Sequence, residues 1–303
     1  MTRPSPEPCS MLFVPADTDR FVDKAGQRGA DALILDLEDA VARPAKAAAR
    51  ANLAAFASRL QRSGVPVYVR VNNEPELLAP DLEAAVACGA DGLLMPKVDT
   101  PEQVLQLDAD LRRLEAKHGR AAGAMPVLAL IESPLGLTNV VQIARSSPRL
   151  SGLLFGVEDF GAVMGMESRP EGMTGPAQTM AIAAAAAGLQ PMGLPGSVAE
   201  FSDLDAYRAL AVHARRIGLR GSICIHPAQV PVINEVFGGS DEEADNARRM
   251  LEVFDASIAA GKGAVAFQGR MVDEPIAARA RRFLQRHDAL KARRRQAAAE
   301  AAR

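Results

Sequence analysis

Gly29-Ala30-Asp31-Ala32-Leu33-Ile34-Leu35-Asp36-Leu37-Glu38-Asp39 turns the end of a helix into an apolar run and finishes that run on three acids. Glycine at the head of the stretch suits the left-handed cap that ends a helix. Leu33-Ile34-Leu35 is continuously apolar, as a parallel strand covered on both faces should be. The same grammar recurs along the chain. Val127 to Ile131 leads to Glu132, Leu153 to Val157 leads to Glu158-Asp159, and Ile223 to Ile225 leads to His226. In a closed α/β barrel the C-terminal strand ends share one rim, so the spacing predicts a single acidic, metal-capable site.

Working outward, eight segments read as strands: Met11 to Pro15, Ala32 to Leu37, Val65 to Val71, Gly92 to Pro96, Pro126 to Ile131, Gly152 to Gly156, Gln190 to Leu194 and Gly221 to Ile225. Helical periodicity fills the intervals, as where Val104, Leu107, Leu111 and Leu114 share a face after the start signal Asp99-Thr100-Pro101-Glu102. Gly89-Ala90-Asp91 repeats the opening junction, and Leu150-Ser151-Gly152 and Leu219-Arg220-Gly221 are looser versions of it. Eight strand–helix units at this spacing favour a TIM (β/α)8 barrel over an open doubly wound sheet. Beyond them, Asp241 to Gly261 and Pro275 to Arg295 read as helices separated by Gly261-Lys262-Gly263. The expected division is therefore a catalytic barrel over residues 1–237 and a C-terminal helical extension over 238–303, contacting a neighbouring subunit.

Composition narrows the function classes. The 303 residues are 48% hydrophobic, enough for a full barrel core, but only 4% aromatic without Trp, so the core must be aliphatic. A net charge of -2 with no basic face argues against nucleic acid, and Lys291 to Arg295 reads as a solvated tail. Cys9, Cys88 and Cys224 match neither a disulfide framework nor a zinc pattern and read as reduced thiols, pointing to the cytoplasm. The proline-rich start, Met1 to Ser10, has no apolar h-region, and no run approaches a membrane span.

Two carboxylates at equivalent positions, Glu132 and Asp159, suit a hard cation bound through oxygen with positions left open for substrate. Each alone would read as a helix cap or ion-pair partner; the pair favours Mg2+ or Mn2+, and no His/Cys cluster competes for a softer metal. Arg70, set among apolar residues in Val69-Arg70-Val71-Asn72, should point into the rim, either toward a substrate oxygen or into a structural bridge with Asp36 or Glu38. His226 reads as a barrel-lining hydrogen-bonding group, and Gly261-Lys262-Gly263 lacks the spacing of a phosphate loop.

At this point the residues carry a resemblance. Ser10-Met11-Leu12-Phe13-Val14-Pro15 with Arg20 and Lys24, Asp36-Leu37-Glu38-Asp39-Ala40-Val41, Val69-Arg70-Val71-Asn72, Pro96-Lys97, Ile131-Glu132-Ser133, Phe155-Gly156-Val157-Glu158-Asp159-Phe160, Ile225-His226-Pro227 and Met271-Val272-Asp273 resemble, in order, the motif series of the citrate lyase beta subunit-like family, within the HpcH/HpaI aldolase/citrate lyase superfamily. The resemblance implies a trimeric or hexameric TIM barrel using Mg2+ on a β-hydroxyacyl-CoA thioester of the citryl, malyl or citramalyl type, to give an α-keto acid and a short acyl-CoA. It further implies Glu132 and Asp159 as metal ligands and Arg70 as the contact to substrate oxygens, with Asp36 and Glu38 behind it. Asp273 would be an acid presented as a lid to a neighbouring subunit and a candidate for proton transfer. Arg20 and Lys24 would meet CoA phosphates, and backbone amides near Gly156 and Val157 would hold developing negative charge.

The pattern also departs from the family. Gly221-Ser222 stands where many members carry Gly-Lys, and an Asp common after the seventh strand is replaced within Gly193-Leu194-Pro195-Gly196-Ser197. Two other readings keep the fold: a metal-dependent aldolase acting on free keto acids, and the acyl lyase subunit of a multienzyme complex fed by an acyl carrier protein.

Overall fold

The structure is a computed structural model describing residues 7–301, with side chains described to Ala297. Most of the proline-rich start, residues 1–6, lies outside the described residues. All eight expected strands form: β1 (Ser10–Pro15), β2 (Ala32–Asp36), β3 (Val67–Arg70), β4 (Gly92–Met95), β5 (Val127–Ile131), β6 (Leu150–Phe155), β7 (Gln190–Gly193) and β8 (Ser222–Cys224). They pair in parallel in the order β7-β6-β5-β4-β3-β2-β1-β8. The remaining gap is bridged by backbone bonds from Arg220 N–H to the Pro191 carbonyl at 2.8 Å and from Gly193 N–H to the Gly221 carbonyl at 2.9 Å. Helices fill the outside, so the protein is an α/β barrel of the TIM type.

The two-residue period of a strand sorts side chains between bore and helices. Leu33, Leu35, Val67, Val69 and Ala129 pack outward into the large aliphatic core, whereas Ala32, Ile34, Tyr68, Leu94, Leu128, Leu130, Leu154 and Met192 form a separate cluster inside the bore. Two glycines make room there. A Cβ on Gly92 would lie 2.2 Å from the Tyr68 ring, and one on Gly152 would lie 2.7 Å from a Leu128 methyl. Extending the inward parity by one step beyond Ile34, Tyr68, Leu130 and Leu154 reaches Asp36, Arg70, Glu132 and Gly156. Residues that fill the bore lower down thus give way to charged groups at its mouth.

The opposite end is sealed by the last helix, Glu274–Ala301. Its Arg294 makes paired bonds of 2.8 and 2.9 Å to Asp31, ahead of β2, and Leu290 is buried in the main core. The helix Asp241–Ala259 begins on a capping box between Ser240 and Glu243, which satisfies two of its open amides. Between these helices the structure adds an element that helical periodicity does not reveal, an antiparallel hairpin of β9 (Val265–Phe267) and β10 (Arg270–Val272). Gln268 and Gly269 turn it with φ of 51° and 73°, the positive pair of a type I′ turn. Phe254, Val272 and Ala277 give the hairpin and the two flanking helices a small core of their own.

Candidate active site

Arg70 sits at the centre of the rim. Its Nε and Nη2 bond Asp36 at 2.7 and 2.6 Å, and its Nη1 faces Glu38 at 2.9 Å and Asp39 at 3.3 Å. The guanidinium also lies 4.5 Å from the Phe13 ring centroid. Burial is extensive, with Asp36 0% exposed, Glu38 4% and Arg70 9%, so each charge must be met by another. Asp36 is saturated: besides Arg70 it accepts the Glu38 and Ala40 amides at 2.9 and 3.1 Å. A carboxylate with every lone pair committed is a brace for Arg70 and has no capacity left to take a substrate proton. Glu38 bonds the Lys97 ammonium at 2.8 Å and stands behind Arg70, with burial driving its carboxyl upward against the pull of Arg70 and Lys97.

Glu132 is 6% exposed and lies beside Asp159 at the N-terminal turn of the helix Val157–Met164. Burial first, then the charges of Glu38 and Asp159, push its carboxyl up to about 8. Its one close backbone donor is the Lys97 amide, at 2.7 Å. Lys97 holds a left-handed φ of 53°, a cost a non-glycine residue meets only when its surroundings demand it. Although burial pulls the other way, the Glu38 hydrogen bond raises its ammonium to about 12. On the other side, Gly156 lets β6 approach: a Cβ there would sit 2.6 Å from both Glu132 Cβ and Oε2.

Glu132 and Asp159 offer an all-oxygen pair to a hard cation, and their mutual repulsion in a buried setting is what a divalent ion would relieve. Among the described residues no cluster of three or more His, Cys, Asp or Glu is arranged to hold a metal.

Two cavities meet at this rim. One, of about 430 Å³, is lined by Asp36, Asp39, Arg70, Glu132, Glu158 and Asp159 and closed by aliphatic and phenyl groups. The other, of about 580 Å³, carries Arg20, Lys24 and Arg28 on the first helix, Asp19–Ala25, and the residues after it, with Phe21 and His226. Phe13, Pro15 and Ile225 belong to both walls. An acidic chamber therefore opens beside a larger basic one.

Seven of the ten residues singled out from the sequence, Asp36, Glu38, Arg70, Glu132, Gly156, Val157 and Asp159, gather around the first cavity, and Arg20 and Lys24 face the second. Asp273 does not join them within its own chain; it lies in neither wall and caps the last helix through bonds to Ile276 and Ala277. Gly156 also differs from expectation, because its N–H is spent on the Ile131 carbonyl at 3.0 Å. Its contribution is space for Glu132, and the first open amide of the following helix is that of Val157. His226 uses Nδ1 to accept the Ala228 amide at 3.2 Å and stacks on Phe201 with centroids 4.5 Å apart.

Several groups at the site were not singled out from the sequence. Lys97 was visible only as half of Pro96-Lys97. Glu158 accepts hydroxyls from Ser168 and Ser197, tying the β6 and β7 loops together across the cavity. The buried Gln229 accepts the Ile225 and His226 amides at 2.8 and 3.1 Å and donates to the Val198 carbonyl at 2.8 Å. A polar residue at the start of a helix after the last strand is the only signal it leaves.

Comparison with known proteins agrees with this geometry. Residues 9–227 match the HpcH/HpaI aldolase/citrate lyase family. The chain is 36% identical over 280 residues to citrate lyase subunit beta of Escherichia coli strain K12, covering 91% of this chain and 92% of that one. It is 34% identical over 286 residues to L-malyl-CoA/beta-methylmalyl-CoA lyase of Cereibacter sphaeroides, covering 86% and 89%. A crystal structure of the CitE protein of Mycobacterium tuberculosis, in complex with magnesium, acetoacetate and coenzyme A, superposes with a TM-score of 0.73 at 30% identity, covering 92% of this chain and 98% of that one. The family match spans nearly the whole barrel, and relatives above 30% identity extend it over most of the chain: the protein belongs to the HpcH/HpaI aldolase/citrate lyase family.

Proposed function

We propose that the protein is a Mg2+-dependent carbon–carbon lyase that cleaves a β-hydroxyacyl-CoA thioester into an α-keto acid and a short acyl-CoA, or forms the thioester in reverse. The observation that carries this reading is the junction of an acidic chamber, holding Glu132 and Asp159, with a basic chamber holding Arg20, Lys24 and Arg28. A thioester spans both, with its hydroxy-acid head among the carboxylates and its phosphate-bearing tail among the cations. The relatives named above, a citrate lyase subunit, a malyl-CoA lyase and a magnesium- and CoA-bound protein, support the same assignment.

In the cleavage direction the β-hydroxyl loses its proton, the adjacent carbon–carbon bond breaks, and its electrons pass to the α-carbon and the thioester oxygen. A proton returned to that carbon completes the acyl-CoA. Bound Mg2+, held by Glu132 and Asp159, would supply Lewis-acid stabilisation of negative oxygen. Arg70, braced by Asp36 and Glu38, presents a donor to the thioester oxygen as charge develops there, and the Val157 amide adds a second at a helix N-terminus. Glu38 and Lys97 keep Arg70 and Glu132 in register. Apolar groups at Phe13, Leu130 and Ile223 exclude water from the reacting carbons.

Asp273 lies outside both cavities of its own chain, so its role in proton transfer requires a neighbouring subunit, as in a homotrimer or homohexamer in which the β9–β10 hairpin carries Asp273 over the adjacent rim. We place the enzyme in the cytoplasm, where the free thiols of Cys9, Cys88 and Cys224 stay reduced. The test is a panel of CoA esters assayed with and without EDTA. Keto-acid release that requires the thioester and is abolished by EDTA is expected; cleavage of free hydroxy-keto acids instead would make the protein an aldolase, and dependence on an acyl carrier protein would make it a complex subunit.

A further inference from the structure

We infer that His287 is a proton-operated latch, which fastens the last helix, Glu274–Ala301, to the turn between the helices Gln229–Gly238 and Asp241–Ala259. The residue is 7% exposed, so its two ring nitrogens depend on protein partners. Nδ1 lies 3.0 Å from the Gly238 carbonyl, and Nε2 lies 3.2 Å from Asp241 Oδ1. Both partners are acceptors. The Gly238 carbonyl is one of the last four that a helix leaves open, and its neighbour, that of Phe237, accepts from Arg286 at 3.0 Å, so the last helix caps this terminus twice. Asp241 is an ionised acceptor, because Lys291 first, and His287 after it, hold its carboxyl below the usual aspartate range. A neutral imidazole has one N–H; it can serve one of these partners only while turning a lone pair on the other. Imidazolium donates to both.

The charges around the ring divide. Asp241 and the negative end of the helix Gln229–Gly238 favour the protonated form. Burial opposes it, as does Lys291, which shares Asp241 Oδ1 from the next turn of the same helix. The other charged groups close by are committed elsewhere: Arg286 to the Phe237 and Arg220 carbonyls, Arg294 to Asp31 and Asn234, and Asp288 to Arg248. Glu243 is paired with Arg215, whose guanidinium lies over the ring of Phe283, itself 5.8 Å from the imidazole. The two bonds of the ring therefore decide the switch. With both ties made only by the protonated ring, the second is present on the acid side of the histidine range and lost as pH rises through about 5–8. The helix so released begins at the Asp273 cap and carries the Arg294 clamp on Asp31, so alkali weakens the hold of the extension on the barrel.

The test is amide hydrogen exchange on the full chain at about pH 6 and about pH 8.5, on either side of the imidazole transition, corrected for the intrinsic pH dependence of exchange. Protection of the last helix around His287 should fall about tenfold between the two, the worth of one hydrogen bond to a charged group. Protection of β2 to β5 should stay constant. In His287→Gln, whose neutral amide keeps a donor and does not titrate, the last helix should exchange alike at both pH values. Imidazole 15N shifts read the same equilibrium directly, and at about pH 6 both His287 nitrogens should carry protons. Equal protection of the helix at the two pH values, an unprotonated His287 nitrogen in the acid sample, or the same pH-dependent loss in the variant overturns the inference. Exchange in the parent protein decides the matter by itself if the variant does not fold.

Discussion

The two ends of the barrel both bury an arginine among carboxylates, yet they reach opposite electrostatic outcomes. At the closed end Arg149 bonds Asp108 at 2.8 Å, Glu115 at 2.7 and 3.0 Å, and the Met125 carbonyl at 3.0 Å. Asp108 is completed by Arg112 and Ser147, and Glu115 by the Gly123 and Met125 amides. Every charge there is answered within the protein. At the rim, by contrast, Arg70 and Lys97 face Asp36, Glu38, Asp39, Glu132 and Asp159, and the surplus falls on Glu132, whose carboxyl is forced upward. A balanced network holds strands and helices together; an unbalanced one leaves a carboxyl whose charged form burial and neighbouring acids disfavour.

The comparison can be broken most directly at the surplus. Asp159→Ala should lower kcat/KM by more than about a hundredfold, since even groups that only support a metal ligand are worth 10–100-fold. The same substitution should leave the thermal midpoint of the metal-free protein unchanged or raised, because it removes repulsion; a large drop would mean that the rim acids are structural. Arg149→Met should do the reverse. Stranding Asp108 and Glu115 should cost about 3–5 kcal/mol in urea unfolding, while turnover per folded molecule stays near that of the parent.

Lys97→Gly sharpens the contrast on a finer scale. Glycine tolerates the positive φ and keeps the amide that faces Glu132, so stability should move by no more than about 1 kcal/mol. Loss of the ammonium beside Glu38 should still reduce activity about tenfold, and an unaltered rate would exclude Lys97 from the site. The smallest effect is in pH. Asp108 is held below the aspartate range by Arg112 first, against its burial, with Arg149 and Ser147 adding to the pull. Burial raises Glu115, but the Arg149 bonds and the Gly123 and Met125 amides outweigh it. Depressed carboxyl pKa values contribute stability that is present above the unfolded value of about 4 and lost as pH falls toward the folded values. Urea midpoints should therefore drop between pH 5 and pH 3, and less steeply in Arg149→Met.

Much of this was legible in the order of residues. Strand ends carrying Asp36, Arg70, Glu132 and Asp159 could be read because a two-residue period and a shared rim turn linear spacing into convergence. What could not be read depended on partners distant in sequence. That Asp36 is saturated follows from the side chain of Arg70 and the backbone of Glu38 and Ala40, and nothing in an acid's identity announces it. The left-handed backbone of Lys97 accompanies bonds to Glu132 and Glu38, groups far from it in sequence. The hairpin around Gln268-Gly269 has three-residue strands, too short for alternation to register. Asp273 carries a motif's identity, while its position in one chain makes it a helix cap.

The clamp between Arg294 and Asp31 joins groups 263 residues apart in sequence. At a synthesis rate of roughly 5–20 residues per second, the floor of the nascent barrel stays unlatched for on the order of tens of seconds after its first strand leaves the ribosome. Trimming the final helix would leave that floor open for good, making loss of the tail a lesion of folding more than of chemistry.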